Sequence, residues 1–179
     1  NAFEAIPVGP AGVFRPERRT PRPQLHPCTA TVVGPAGESF FVDKYGRVKV
    51  QFHWDRYGRS DADSSAWIRV ATPTAGNTAG MIFVPQIGDE VLVSFLLGDP
   101  DAPVITGSLY NASRMPPYPL PNLKETAGIR MRAGNNLFNE LRFDNRNGAQ
   151  QLALNAARDL NFSAERQINV SSPLAINGG

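Results

Sequence analysis

A single cysteine, Cys28, and two histidines, His26 and His53, are all the thiol and imidazole that this 179-residue chain offers. One cysteine excludes an internal disulfide and reads as a small buried residue, and no Cys/His cluster at metal-ligand spacing can be assembled. No glycine-rich phosphate motif occurs. The apolar runs fall far short of a membrane span, and no N-terminal signal pattern is visible. The chain opens on Asn1 rather than methionine, which leads us to expect a piece of a longer protein. Charge is sparse too, at 19% of residues and a net +2. Much of the excess sits in Arg15, Arg18, Arg19 and Arg22, a local basic arm rather than a nucleic-acid surface.

Catalytic constellations are equally thin. His53 with Asp55 resembles a base and its partner, but no activated Ser or Cys accompanies them, and a histidine on the polar face of a strand is the better reading. Asp61, Asp63 and Ser65 open like a calcium loop, which then fails because Ala66 takes the glycine position and Thr72 the closing carboxylate position. Sequons at Asn111, Asn161 and Asn169 are incidental without evidence of secretion. The expectation is therefore no catalytic residue, no metal and no cofactor.

Proline, by contrast, is abundant: 16 of 179 residues is nearly twice the usual ~5%. Pro7, Pro10, Pro16, Pro21, Pro23 and Pro27 make residues 1–27 an extended arm, and "MPPYPLP" from Met115 reads as a stiff spacer within residues 112–127. Between them "RVKVQFHWD" alternates, with Val48, Val50, Phe52 and Trp54 on one face. "TATVV", "SFFVD", "AWIRVA", "GMIFVP", "GDEVLVSFLL" and "APVITGSLY" are further strand candidates, joined by turn residues. Short strands without helical windows predict a small closed barrel over residues 28–111, its core including Val48, Val50, Phe52, Trp54, Val91, Val93 and Phe95. That inward placement of Phe52 and Trp54 argues against an oligonucleotide-binding face.

Beyond the spacer, apolar residues come as i, i+2 pairs. Leu152 and Leu154, Leu160 and Phe162, and Ile168 and Val170 repeat every eight residues, with looser pairs at Leu141 and Phe143 and at Leu174 and Ile176. A helix would set i and i+2 about 200° apart, whereas a strand sets them on one face. Strand, turn, strand is the reading. At about three repeats per turn, five pairs give one chain under two rungs, and a solenoid needs roughly three repeats to bury a core. An intertwined stalk follows, each chain supplying one face at each level, and three chains suit an apolar centre of this width.

"FRPERRTPRP", "DKYGRVKVQFHWDRYG", "SSAWIRVATPTAG", "IFVPQIGDEVLVSFLLGDPDAPVITGSLYN" and "NELRFDN" resemble, in order, the central and C-terminal region of the VgrG family, the spike proteins of type VI secretion. The resemblance implies an all-β chain: a five-stranded OB-fold barrel (28–111) followed by an intertwined triple-stranded β-helix (128–179), as in contractile-phage spikes. The family's hub-forming N-terminal half is lacking apart from the arm. Related phage spikes carry a lysozyme domain where only residues 112–127 stand here, so that activity is not carried over. The implied function is structural, a trimeric cell-puncturing spike that delivers effectors. Its partners would be two further copies, the tube and tip proteins, and effectors or their adaptors, with no nucleic acid and only transient passage through a target membrane. It would assemble in the bacterial cytoplasm and be ejected to the outside or into a target cell. A phage baseplate spike and an OB-fold oligonucleotide- or saccharide-binding module are the alternatives.

Overall fold

The computed structural model describes residues 20–132 and 136–170. Two compact units follow one another, the first ending at Met115 and the second beginning at Pro116. In chain order the first unit holds β1 (Cys28–Val33), β2 (Lys49–Phe52), β3 (Arg69–Val70), β4 (Ala75–Gly76), β5 (Ala79–Gly80), β6 (Glu90–Phe95) and β7 (Pro103–Leu109). The second holds β8 (Thr126–Arg132), β9 (Phe138–Asp144) and β10 (Gln151–Asn155).

Alternation builds the first unit. β6 reads EVLVSF, and its Val91, Val93 and Phe95 turn inward while Glu90, Leu92 and Ser94 do not. Ala30 and Val32 of β1, Val48 and Val50 at β2, Ile68 and Ile105 complete the core. The strands lie in the order β2-β1-β6-β7-β3, antiparallel except for the parallel β3–β7 pair. The two outer members then meet. Val48 donates to the Ile68 carbonyl at 3.0 Å and Ile68 donates back at 2.8 Å, so one bridge closes the sheet into a barrel. Closure needs a bent strand, and β7 supplies it: Leu92 pairs with Gly107 and Val93 with Ile105, leaving Thr106 as a bulge.

Register also fixes the two ends of the barrel. Ala30 stands opposite Phe52, so the start of β1 lies beside the end of β2, together with the β6–β7 turn. The chain enters there. It leaves at the end of β7, which is the opposite end, because β7 runs parallel to β3 and antiparallel to β6. At the entry end Leu25 donates to Gly98 and Arg22 pairs with Asp99 and Asp101, which holds the described part of the arm. Arg15, Arg18 and Arg19 lie outside the described residues.

Two expected strands do not form. "SFFVD" and, after Gly80 of β5, "MIFVP" run without a ladder partner among the described residues, and Phe40, Val42, Met81, Ile82 and Phe83 keep exposed side chains. The barrel's pairing edges are already occupied by the order above, so among the described residues these apolar runs have no strand edge left to pair with. The small β4–β5 hairpin, with Thr78 at φ 54°, rises between β3 and the second run.

The second unit is an antiparallel meander, β10-β9-β8. The spacer expected over 112–127 is divided. Asn111 pairs with Arg114 in a turn that belongs to the barrel, whereas Tyr118 packs into the second unit and is buried. Intertwining was expected from residue 128 onward; over 126–155 the strands pair within the chain instead. The β9–β10 connection is a turn through Gly148 at φ 77°, and a connection that short makes neighbouring strands pair locally. Residues 156–170 carry no helix and no strand.

Candidate functional site

The meander is inside out. In a two-layer domain the apolar face of a sheet is covered and the polar face is wet. Here Ala127, Ile129 and Met131 of β8, Leu141 and Phe143 of β9, and Leu152 and Leu154 of β10 share one face, since Ile129 pairs with Leu141, Leu141 with Leu154, and Phe143 with Leu152. That face stays open: Ile129, Met131, Phe143, Leu152 and Leu154 are all exposed.

The polar face is the covered one. Gly128, Arg130, Glu140 and Arg142 lie there, and Tyr118 closes over them. The Tyr118 hydroxyl donates to Glu140 Oε1 at 3.0 Å, and Arg130 Nε donates to the same oxygen at 2.8 Å. The Arg130 guanidinium sits 5.1 Å from the Tyr118 ring centre and 4.1 Å from that of Phe138. Gly128 makes room, because a Cβ there would strike the Tyr118 hydroxyl. Burial, and then the Glu140 carboxylate, push the Tyr118 phenol up from its ordinary value. At the turn Arg146 donates to both oxygens of buried Asp144, at 2.9 and 2.6 Å, which holds that carboxyl down at about 2. Within this unit Thr126 Oγ1 and Arg142 Nε are buried without a hydrogen-bond partner among the described residues.

The expected stalk residues therefore fall into three groups. Leu141, Phe143, Leu152 and Leu154 share the open face. Leu160, Phe162, Ile168 and Val170 lie exposed on the irregular segment 156–170. Leu174 and Ile176 lie outside the described residues. Sequence reasoning missed Ala127, Ile129 and Met131, although their i, i+2 spacing was the same signal, obscured by the proline spacer before them.

In the barrel Val48, Val50, Val91 and Val93 are fully buried and Phe95 nearly so, while Phe52 is half-buried. Trp54 is a correction. It was placed inward by alternation, but β2 ends at Phe52, the chain turns at His53, and Trp54 stacks on Phe52 at 5.0 Å with 62% of its surface exposed. Ile68 and Ile105 are core residues that the sequence pattern did not single out.

The carboxylate and amide candidates are tied into turns and strands, and His53 stands exposed. Asp55 accepts from the Tyr57 and Gly58 N–H groups and from Gln51. Asp61 accepts from the Asp63 N–H and the Ser64 hydroxyl, which makes its loop a turn, while Ser65 Oγ accepts from Val50 at the edge of β2. Asn111 donates to Glu90 and accepts from Ser113 and Arg114. Cys28 packs against the barrel core. Among the described residues no group of three His, Cys, Asp or Glu side chains gathers to hold a metal. A groove of about 420 Å³ beside the β4–β5 hairpin, between Tyr45 and Phe83, has no charged lining residue.

Comparison with known proteins gives this surface a context. A family profile, the type VI secretion system/phage-baseplate injector OB domain, matches residues 41–110. The type VI secretion system spike proteins VgrG1c and VgrG1a of Pseudomonas aeruginosa are 46% and 48% identical, over 89% and 82% of this chain. The actin cross-linking toxin VgrG1 of Vibrio cholerae is 47% identical over 90% of it. The chain spans only 22%, 24% and 15% of the length of these relatives.

Proposed function

Because the chain belongs to the VgrG family of type VI secretion spike proteins, we propose that it is the barrel and stalk-root segment of a trimeric, cell-puncturing spike. One observation carries this: the β8–β10 sheet covers its polar face from within and leaves its apolar face open. Three such faces turned toward a common axis remove them from water together, at ~25 cal/mol per Å² of apolar surface buried.

The irregular segment 156–170 supports the same reading. Leu160, Phe162, Ile168 and Val170 keep the i, i+2 spacing but find no ladder among the described residues. Backbone N–H and C=O groups that lack partners within the chain can find them on neighbouring copies, and interchain pairing after Asn155 is the arrangement that satisfies both needs. The stalk then has two regimes, self-paired sheets at its root and intertwined strands beyond.

The role is mechanical. The spike assembles in the bacterial cytoplasm on the tube and tip proteins, is driven outward, crosses a target envelope and carries effectors or their adaptors. It performs no catalysis itself, a reading consistent with carboxylates and histidines that are tied into turns or left isolated. The family profile covers phage baseplates as well, and the identity to secretion spikes favours the secretion system.

Light scattering after gel filtration tests the assembly. Three copies of a 19.4 kDa chain are expected. A monodisperse monomer at micromolar concentration overturns the stalk.

A further inference from the structure

Trp54 lies at the end of the barrel where the chain enters. Residues 54–60 form a loop that buries almost nothing of its own. Trp54, Arg56, Tyr57 and Arg59 are all exposed, Tyr57 to 95%. Such a loop is ordinarily soft. This one is braced.

Two polar side chains do the bracing. Asp55 Oδ1 accepts from Tyr57 and Gly58 at 3.0 and 3.1 Å, and its Oδ2 accepts from Gln51 Nε2 at 3.1 Å. Gln51 Oε1 in turn accepts from Ser60 at 3.2 Å, where the backbone is held at φ 56°. Gly58 lies so close to the Gln51 amide that any side chain would strike it. Phe52 and Phe95 form the pedestal under Trp54, the three rings stacked from the core outward. A strained φ and a β2 side chain committed to a loop that packs no core are costs a mere connection does not need.

The residue types that the loop presents are Trp, Tyr and Arg, the three most enriched at the energetic centres of protein interfaces. Pre-ordering them removes the entropy that binding would otherwise lose. Among the described residues neither Arg56 nor Arg59 makes an ion pair, and Asp55, the carboxylate next to Arg56, is committed to the brace. The positive charge is available outward.

We infer that this braced loop is a docking site for an acidic protein surface, Trp54 and Tyr57 entering apolar hollows while Arg56 and Arg59 pair with carboxylates at the rim. Nucleic acid fits less well, because two guanidinium groups beside one stacked indole do not make a groove that tracks a phosphate backbone.

The test uses the whole chain and a defined acidic probe, a glutamate–tyrosine copolymer, with polyglutamate and an oligothymidylate for comparison. Trp54 and Trp67 are the two tryptophans, so the signal lost in Trp54→Phe is that of Trp54. The copolymer is expected to shift Trp54 emission and to bind in a salt-dependent way. Trp54→Ala, and Arg56→Glu with Arg59→Glu, should each weaken it roughly thirty-fold, as truncation of an interface anchor does. Circular dichroism checks that each variant keeps its strands, and Arg56→Lys with Arg59→Lys gives a milder second variant. Affinity unchanged in folded variants overturns the inference. So does tighter binding to oligothymidylate, which makes the loop a nucleic-acid site, or a variant that changes only the mass of the assembly, which makes it a contact between copies.

Discussion

Phe143 and Leu152 face each other across the β9–β10 ladder, and both stay open to solvent, 43% and 62% exposed. Cross-strand apolar partners stabilise a sheet chiefly when something covers them. Leu152→Asp should therefore cost the isolated chain little, while in a trimer it sets three unpaired carboxylates on an apolar axis. Light scattering should report loss of the trimer with the circular dichroism of the strands retained. A variant as trimeric and heat-resistant as the parent would show that this face is not the contact.

Further along, Leu160→Asp with Phe162→Asp asks whether the stalk continues through the irregular segment. If both side chains reach the shared axis, each single substitution should already weaken the assembly and the pair should abolish it. The barrel should keep its strands. Tolerance of either single substitution would mean that these residues do not form an inward pair.

Tyr118→Phe removes the hydroxyl that caps Glu140, and should lower the stability of the second unit by about 1 to 2 kcal/mol. Gly128→Ala should cost at least as much, because the added methyl meets that hydroxyl and the backbone of β9. In the double variant Gly128→Ala with Tyr118→Phe part of the cost should be recovered. Additive losses in chemical denaturation would show that the two sites are not coupled.

What the sequence disclosed, it disclosed by alternation. β2 and β6 were legible because each alternates, β1 and β7 because they are short runs rich in β-branched residues bounded by turn residues, and all four find partners in the same chain. Trp54 was misplaced because alternation does not announce where a strand stops, and the turn through His53 and Trp54 is closed by the Asp55 N–H on the Phe52 carbonyl. The pairs around Leu141 and Leu152 were legible as facing one way, but not as pairing with each other, since ladder register is a matter of turn length. The cover over the polar face was invisible. Nothing in "MPPYPLP" signals that its tyrosine reaches a glutamate 22 residues on.

Asp144 makes the second unit sensitive to acid. Its carboxyl is held at about 2, below the ordinary 3.8, so the folded unit binds that proton less readily than the unfolded chain. The stabilisation is complete above pH 3.8 and is lost as pH falls through about 2. Asp144→Asn should melt lower than the parent at neutral pH, and the gap should narrow sharply as pH falls from 3.8 to about 2. An equal gap at both pH values would contradict this.

Ile68 sits at the bridge that closes the barrel, almost fully buried and bonded both ways to Val48. Ile68→Ala should destabilise the barrel by about 2 to 4 kcal/mol through the cavity it leaves. Denaturant titration followed by Trp67 fluorescence in a Trp54→Phe background measures it. A loss under about 0.5 kcal/mol, the range of an exposed site, would place Ile68 outside the core.

The chain enters the barrel at one end and leaves it at the other, along β1 and then β7 with β6 between them. Force applied at Cys28 and taken up at Leu109 therefore acts parallel to the strands. The β1–β6 and β6–β7 ladders are loaded in shear, where all their hydrogen bonds must yield together. Had entry and exit shared one end, the same force would have opened a ladder one bond at a time, like a zip. A domain pulled lengthwise between these two points resists at its strongest geometry, and the topology of five short strands is enough to decide it.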